Sequence, residues 1–430
     1  MPIVNTGRRL SWVSAMLLLA CPAALAQQLP PGADDFFDDR IVHEIRLTIN
    51  PRDWNELKAN FQLNDYYPAH FTWRGLTVLN IGIRSRGTGS RSGEKPGLRV
   101  DFDHYEQRQR FLGLKSVVLR NNVQDPSHLH DRLSMQLYAR LGIPASRIAH
   151  VRLLINGEYA GLYTIVESVD KIFLEHHYGE SGGYLYKYHY DADDPPHYFE
   201  YLGPDPARYS PKPFQPETHE LDPDHRPLVE LMRAIQESTD AEFQAAVGAY
   251  VDLRQFMVHV AVESFLADTD GMLGDWGANN FYLYRLENRT LSVLIPWDKS
   301  EAFKGGVEHS IWRNLYDTPS WLRNRLMSRA EQFIELRDVY LDALLACADL
   351  VLAEAPSDDS LAGPRTASGE GMGWLESEIR REYEQIRAAV LEDPVKPFSN
   401  EWFEASVGDL LTFARSRSAF VRQDVARSRR

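Results

Sequence analysis

Cysteine is nearly absent from this 430-residue chain, which has only Cys21 and Cys347. Cys21 lies in a stretch that export processing would remove or lipidate, so no intramolecular disulfide can staple the mature chain, and core packing must supply its stability. Cys347 sits in the apolar run 340–348 and reads as a small buried hydrophobe on a helix. Positive charge is in short supply too. Lys plus Arg number 47 against 61 Asp plus Glu, a formal net charge of −14, which excludes a nucleic-acid partner because the phosphate backbone would be repelled. No apolar stretch qualifies as a membrane span, since the one near the N-terminus is too short and too early. There is no Gly-x-Ser-x-Gly elbow and no internal repeat. His128 and His130 have no third ligand at a zinc-site spacing.

What is present is enough to fold. Apolar residues make up 43% of the chain, and its length predicts two subdomains or one large bilobal unit. Residues 1–26 begin with Arg8 and Arg9, continue through an apolar run from Leu10 to Ala20 and end on Ala24-Leu25-Ala26, the layout of a secretory signal. Leu18-Leu19-Ala20-Cys21 also resembles a lipoprotein cleavage box, which would make Cys21 a lipid anchor; ordinary cleavage is preferred. Either route exports the protein to the periplasm, the medium or the cell surface.

Residues 27–40 read as an exposed leader. Alternation predicts strands over 41–50, 77–86 and 98–102, with a short Pro-started helix from Asn50-Pro51 to Phe61. Asp125-Pro126-Ser127 predicts a helix start, followed by an apolar stripe at Leu129, Leu133, Leu137 and Leu141. Strands 148–155 and 161–167 flank the hairpin dipeptide Asn156-Gly157. The expected result is a mixed sheet with one helix packed on it. Residues 188–227 lack periodicity and read as a long connection, and helices are expected at 228–237, 241–251 and 253–267. A strand pair at 280–285 and 291–295 follows; helices dominate beyond 318, with a Gly/Ser/Pro break at 356–373. The expected fold class is α+β, with a strand-rich N-terminal part and a helical C-terminal part closing on a cleft.

The chemistry concentrates in 268–298. Asp268, Asp270 and Asp275 precede Asn279-Asn280 and a strand; Asp298 directly follows the next strand. Phosphoryl transfer from a nucleotide needs such a set, because one Asp orients the attacking hydroxyl while an Asn and a second Asp hold the metal that neutralises phosphate charge. Asn280 is preferred as the amide ligand, with Asn279 expected to face the other way on an extended strand. Asp275 lies five residues before Asn280, the spacing of the protein-kinase catalytic loop. Asp268 reads as structural. A basic cluster of Arg84, Arg86, Arg91, Lys95 and Arg99 offers an anion site, although the loop Gly87 to Gly93 matches neither a P-loop nor the kinase glycine loop.

Together these pieces acquire an order. Lys95-Pro-Gly-Leu-Arg99, Asp125 to Arg132, Leu141-Gly142-Ile-Pro, Ile155-Asn156-Gly157 through Glu167, Asn280-Phe-Tyr-Leu-Tyr284 and Pro296-Trp297-Asp298 follow one another as they do in the CotH (spore coat protein H) kinase family. The chain resembles that family over roughly residues 40–305. The resemblance implies an atypical two-lobed protein-kinase-like fold over 41–305, with parts at 41–188, 189–227 and 228–305, and a helical extension of the same domain at 306–430. It also implies ATP- and Mg2+- or Mn2+-dependent phosphorylation of a secreted or surface protein. On it, Asp298 is a metal ligand and Ser300 stands where the family often has a second acid, with Glu301 close by. Asp270 matches the family's Asp-Gly element and ranks first as base, ahead of Asp275. Lys95 matches the basic-strand lysine, with Arg84, Arg86 and Arg99 as rivals for nucleotide phosphates; Glu167 would sit at the connection between lobes. The alternatives are a non-catalytic coat, surface or adhesion protein on the same fold, and a nucleotidyl transferase using the same site.

Overall fold

The computed structural model describes residues 31–189, 194–275, 277–354 and 372–430. The segment 1–26 expected to be an export signal, with Cys21, and most of the break at 356–373 lie outside the described residues.

The alternation after Ile41 becomes β1 (His43–Ile49), whose residues are buried and exposed by turns. Helix α1 (Ala33–Phe36) precedes it, and α2 (Pro51–Ala59) follows with the Asn50 side chain accepting from the Arg52 N–H at 2.9 Å. Strands β2 (Tyr67–Trp73), β3 (Leu76–Ser85), β4 (Leu98–Asp101) and β5 (Ser116–Arg120) then run antiparallel in sequence. β6 (Ile148–Ile155) and β7 (Glu158–Glu167) form the hairpin turned at Asn156-Gly157, where φ is +53° and +89°. β7 returns beside β5 while β6 lies parallel to β1. The expected mixed sheet is therefore a closed barrel, ordered β1-β2-β3-β4-β5-β7-β6, with no free edge. Aromatic rings fill it. Phe36 of α1 meets Trp73 at 5.3 Å and Phe111 at 5.1 Å between centroids, both edge to face.

Helix α3 (His130–Arg140) starts four residues later than an N-cap at Asp125 predicts, with Leu129 at the cap position. The Asp125 carboxylate accepts from the Ser127 N–H at 2.9 Å and the His130 N–H at 2.8 Å, so it caps a tight turn ahead of the helix. His128, at φ +63°, makes that turn left-handed. The leucine stripe is real: Leu129, Leu133 and Leu137 are buried.

After α4 (Lys171–Tyr178), β8 (Tyr184–Tyr188) opens a second sheet. The connection expected to be structureless supplies β9 (Phe214–Pro216), which pairs with β8. Helices α5 (Arg226–Glu237), α6 (Asp240–Gly248) and α7 (Leu253–Phe265) lead to the hairpin of β10 (Phe281–Arg285) and β11 (Ser292–Pro296), completing the order β11-β10-β8-β9. Helices α8 (Arg325–Ala330), α9 (Ile334–Leu352), α10 (Trp374–Leu391) and α11 (Asn400–Ser428) close the fold, with α9 packed on α7 and α11. Cys347 is fully buried on α9, and burial pushes its thiol up. Among the described residues no helix is long and apolar enough to cross a membrane. The class is α+β.

Candidate functional site

A cleft of about 690 Å³ lies between the barrel and the second sheet. The ends of β3 and β4 contribute Arg84, Arg86 and Arg99, β8 contributes Lys187, and the segment after β7 contributes Ser168 to Asp170. From the second sheet come Asp270, Asn279, Asn280 and Tyr282, then Trp297, Asp298, Ser300 and Glu301.

The Asp270 loop is shaped by its neighbours. A Cβ on Gly271 would lie 2.5–2.6 Å from the Glu263 carboxylate, so only glycine lets this turn sit on α7. The loop then brings both asparagines onto one carboxylate. Asn279 Nδ2 donates to Asp270 Oδ1 at 3.0 Å, and Asn280 Nδ2 donates to Asp270 Oδ2 and to the Asp270 carbonyl, each at 2.9 Å. The expectation that the two amides face opposite ways is overturned, because Asn280 at φ +57° is not extended and precedes the strand. Burial pushes the Asp270 carboxyl up to about 7; the Asn279 hydrogen bond opposes this, while the charges of Asp268, Asp298 and Glu301 reinforce it.

Asp298, at φ +45°, turns out of β11 into the cleft. Its carboxylate accepts from Arg120 at the end of β5 and from the Ser300 hydroxyl at 3.1 Å. Arg120 is shared with Asp131 of α3 at 2.9 Å. Burial alone would raise the Asp298 carboxyl, but the Arg120 and Arg86 charges outweigh it and hold the group below the usual carboxylate range. Ser300, in the place of a second acid, thus serves the first one.

The cleft's cations fall into two kinds. Arg84 is engaged by Asn64, Arg91 by Asn64 and the Phe61 carbonyl, and Arg99 by Asp101 at 2.9 Å. Arg86 lies over the Trp297 ring, and neither its side chain nor that of Lys187 makes a hydrogen bond or a close ion pair among the described residues. Burial pulls the Lys187 ammonium down to about 8 and Arg86 down to about 10, each assisted by a neighbouring cation. The Glu217 and Asp298 carboxylates offset these charges only in part, Asp298 facing both cations and Glu217 facing Lys187. Two half-desolvated cations whose side chains make no hydrogen bond among the described residues favour a further anion between them.

The structure brings Asp270, Asn280, Asp298, Arg84 and Arg99 to one cleft and places three other candidates elsewhere. Lys95 is buried away from it, with Nζ on Asp393 at 2.6 Å and on the Leu162 carbonyl at 2.9 Å. Asp275 is exposed and paired with Arg313 at 3.0 Å, because the turn after Gly271 carries it outward. Glu167 is buried but faces Arg147, at 2.6 Å. Lys187 and Arg120 were missed. The available signals were a lone charge in the aromatic run Tyr184-Leu-Tyr-Lys187-Tyr and an arginine ending the apolar run Val117-Val-Leu119.

Among the described residues no three His, Cys, Asp or Glu side chains are grouped to hold a metal unaided. The donors do suit a hard cation that keeps waters and shares phosphate oxygens. Asp298 is held ionised, and Asn280, with its nitrogen committed to Asp270, leaves its carbonyl oxygen for coordination.

Known proteins resemble this chain unevenly. Inner spore coat protein H of Bacillus subtilis (strain 168) is 24% identical over 385 residues, 89% of this chain and 97% of that protein. Spore coat protein homolog 1 of Rhizopus delemar is 23% identical over 252 residues, 56% of this chain and 39% of that longer protein. Among solved structures, the HipA, HipB and operator DNA complex of Shewanella oneidensis MR-1 aligns with a TM-score of 0.32 and 11% identity, over 75% of this chain and 64% of that one. The Helicobacter pylori proinflammatory kinase CtkA aligns with a TM-score of 0.29 and 10% identity, over 78% and 95%. The model of the CotH kinase protein family matches residues 83–355, which takes in the barrel strands from β4, the Asp270 loop and Asp298 together, and the chain belongs to that family.

Proposed function

We propose that the chain is an exported, ATP-dependent protein kinase with a two-lobed, kinase-like arrangement: the barrel forms one lobe and the second sheet with its helices the other. The observation that carries this reading is the Asp270 carboxylate, oriented by two amides in the same cleft as an ionised Asp298 and the Arg86 and Lys187 cations, whose side chains make no hydrogen bond among the described residues. Asp270 acts as general base. With its carboxyl near 7 it takes the proton of an acceptor hydroxyl, whose oxygen attacks the γ-phosphorus as the bond to the departing ADP oxygen breaks. Arg86 and Lys187 hold the phosphates. Val118 and Val169, the aliphatic residues lining the cleft, take the nucleobase. Asp298 and Asn280 would hold Mg2+ or Mn2+, which when bound neutralises phosphate charge.

Family membership and the export signal support a secreted or surface protein as acceptor, and a location in the envelope or outside the cell. The test is incubation of the purified chain with ATP labelled at the α or the γ position, in magnesium or in chelator. γ-Label on protein only with metal is expected. α-Label instead would mean nucleotidyl transfer, and no label with no nucleotide binding would leave a non-catalytic coat protein.

A further inference from the structure

We propose that Lys299, which neighbours Asp298 in sequence, is a positioning residue that fastens the Asp270 loop to the end of β11; the inference rests on the kinase reading above. A lysine beside a cleft aspartate invites a phosphate-binding role, but the geometry rules it out. Lys299 is fully buried and does not line the cleft. Its Nζ donates to Glu263 Oε1 at 2.6 Å and to Asp268 Oδ2 at 3.0 Å.

Each of those carboxylates uses its other oxygen on the loop. Glu263 Oε2 accepts the Met272 N–H at 2.8 Å, and Asp268 Oδ1 accepts the Asp270 N–H at 3.0 Å. The two amides on either side of Gly271 are therefore tied, through two carboxylates, to one ammonium in the segment that leaves β11 and presents Asp298. The Lys299 backbone is fixed in turn, since its N–H donates to Asp131 Oδ1 at 2.7 Å and Asp131 also pairs with Arg120, which holds Asp298. His259 faces Glu263 at 3.4 Å, with burial pulling its imidazole toward the neutral form, and the Tyr138 ring covers the ammonium at 6.0 Å. The cluster thus sets the distance between the base and the metal-binding carboxylate through the backbone, with no hydrogen bond to either carboxylate.

Lys299→Met alone would strand two buried carboxylates and could unfold the chain for that reason. The informative variant is the triple Lys299→Met, Glu263→Gln, Asp268→Asn. It removes the charges, keeps amide oxygens for the Met272 and Asp270 N–H groups, and cuts the tie to β11. Two readouts are taken on the full chain: hydrogen exchange over 268–281 compared with α7, and kcat compared with the dissociation constant of ATP with magnesium. The expectation is a folded variant whose loop amides exchange roughly tenfold or more faster while α7 keeps its protection. With it, kcat should fall about 10²-fold, the cost of about 1 Å of misplacement, and ATP affinity should stay within about threefold. Unchanged loop exchange overturns the proposal. So does a parallel loss of kcat, ATP affinity and α7 protection, or a failure to fold, since the charges would then be holding the core and not the loop. A wild-type chain that transfers no phosphate refutes the kinase reading instead, and the exchange measurement still decides the tether.

Discussion

Replacing Asp270 with Asn should make the protein less active and, above neutral pH, more stable. The native carboxyl is raised from 3.8 to about 7, by burial first and then by Asp268, Asp298 and Glu301. A carboxyl raised on folding contributes stability that is complete below its unfolded value and is lost as pH climbs toward the folded one. At pH 8 that loss amounts to about 4 kcal/mol, and at pH 5 to about 1.5 kcal/mol, at 1.36 kcal/mol per unit. The partial exposure of the cleft scales both figures down. Asn removes the penalty while still accepting from Asn279, but it sets an N–H against the Asn280 amide, at a cost of about 1–3 kcal/mol. Thermal unfolding of both proteins in chelator should therefore show the variant gaining on the wild type between pH 5 and pH 8, by about 2 kcal/mol. Turnover should drop by roughly 10² to 10⁴ with ATP affinity nearly intact. A stability difference that does not change with pH would refute the raised carboxyl. Full turnover would refute the base, and a larger loss in Asp275→Asn would move that role to the exposed Asp275.

Lys187→Met should weaken ATP binding by about tenfold or more, as calorimetry would detect, because it removes one of the two cleft cations whose side chains make no hydrogen bond among the described residues; unchanged affinity would leave Arg86 as the sole anchor. Lys95→Met should cost about 3–5 kcal/mol in chemical denaturation, since it strands the fully buried Asp393, and should leave the ATP affinity of the folded fraction unchanged. Asp298→Ala should abolish metal-dependent transfer and also destabilise by about 1–3 kcal/mol, because Arg120 is left with Asp131 alone; a melting point equal to that of the wild type would contradict the ion pair.

Strands β1, β3 and β4, the β6–β7 and β10–β11 hairpins and most of the longer helices were readable because each announces itself locally, whereas β2, β8 and α1 were not read from the sequence. Alternation marks β1 and β3, Asn156-Gly157 marks the β6–β7 turn, and apolar periodicity marks α5 to α7. β5 escaped because all five of its residues are buried, so it shows no alternation, and β9 because its three residues form a strand only through pairing with β8. Carboxylates and amides at 270, 280 and 298 were legible as chemistry, since their types and order are linear facts.

What the order could not convey was direction. Lys95 and Lys187 are both lysines near or within sheet strands; one is hydrogen-bonded to Asp393, nearly three hundred residues away in sequence, and the other turns its ammonium into the cleft without a side-chain hydrogen bond among the described residues. Asp270 and Asp275 flank one turn; the Asn279 and Asn280 amides and the Asp268 and Glu263 carboxylates hold the first in the cleft, while the second is exposed and pairs with Arg313. Local sequence determined which residue types this protein could bring to a site. Which of them arrive there was decided by long-range ion pairs and close packing, because burial and counter-charge are properties of neighbours that only the folded chain assembles.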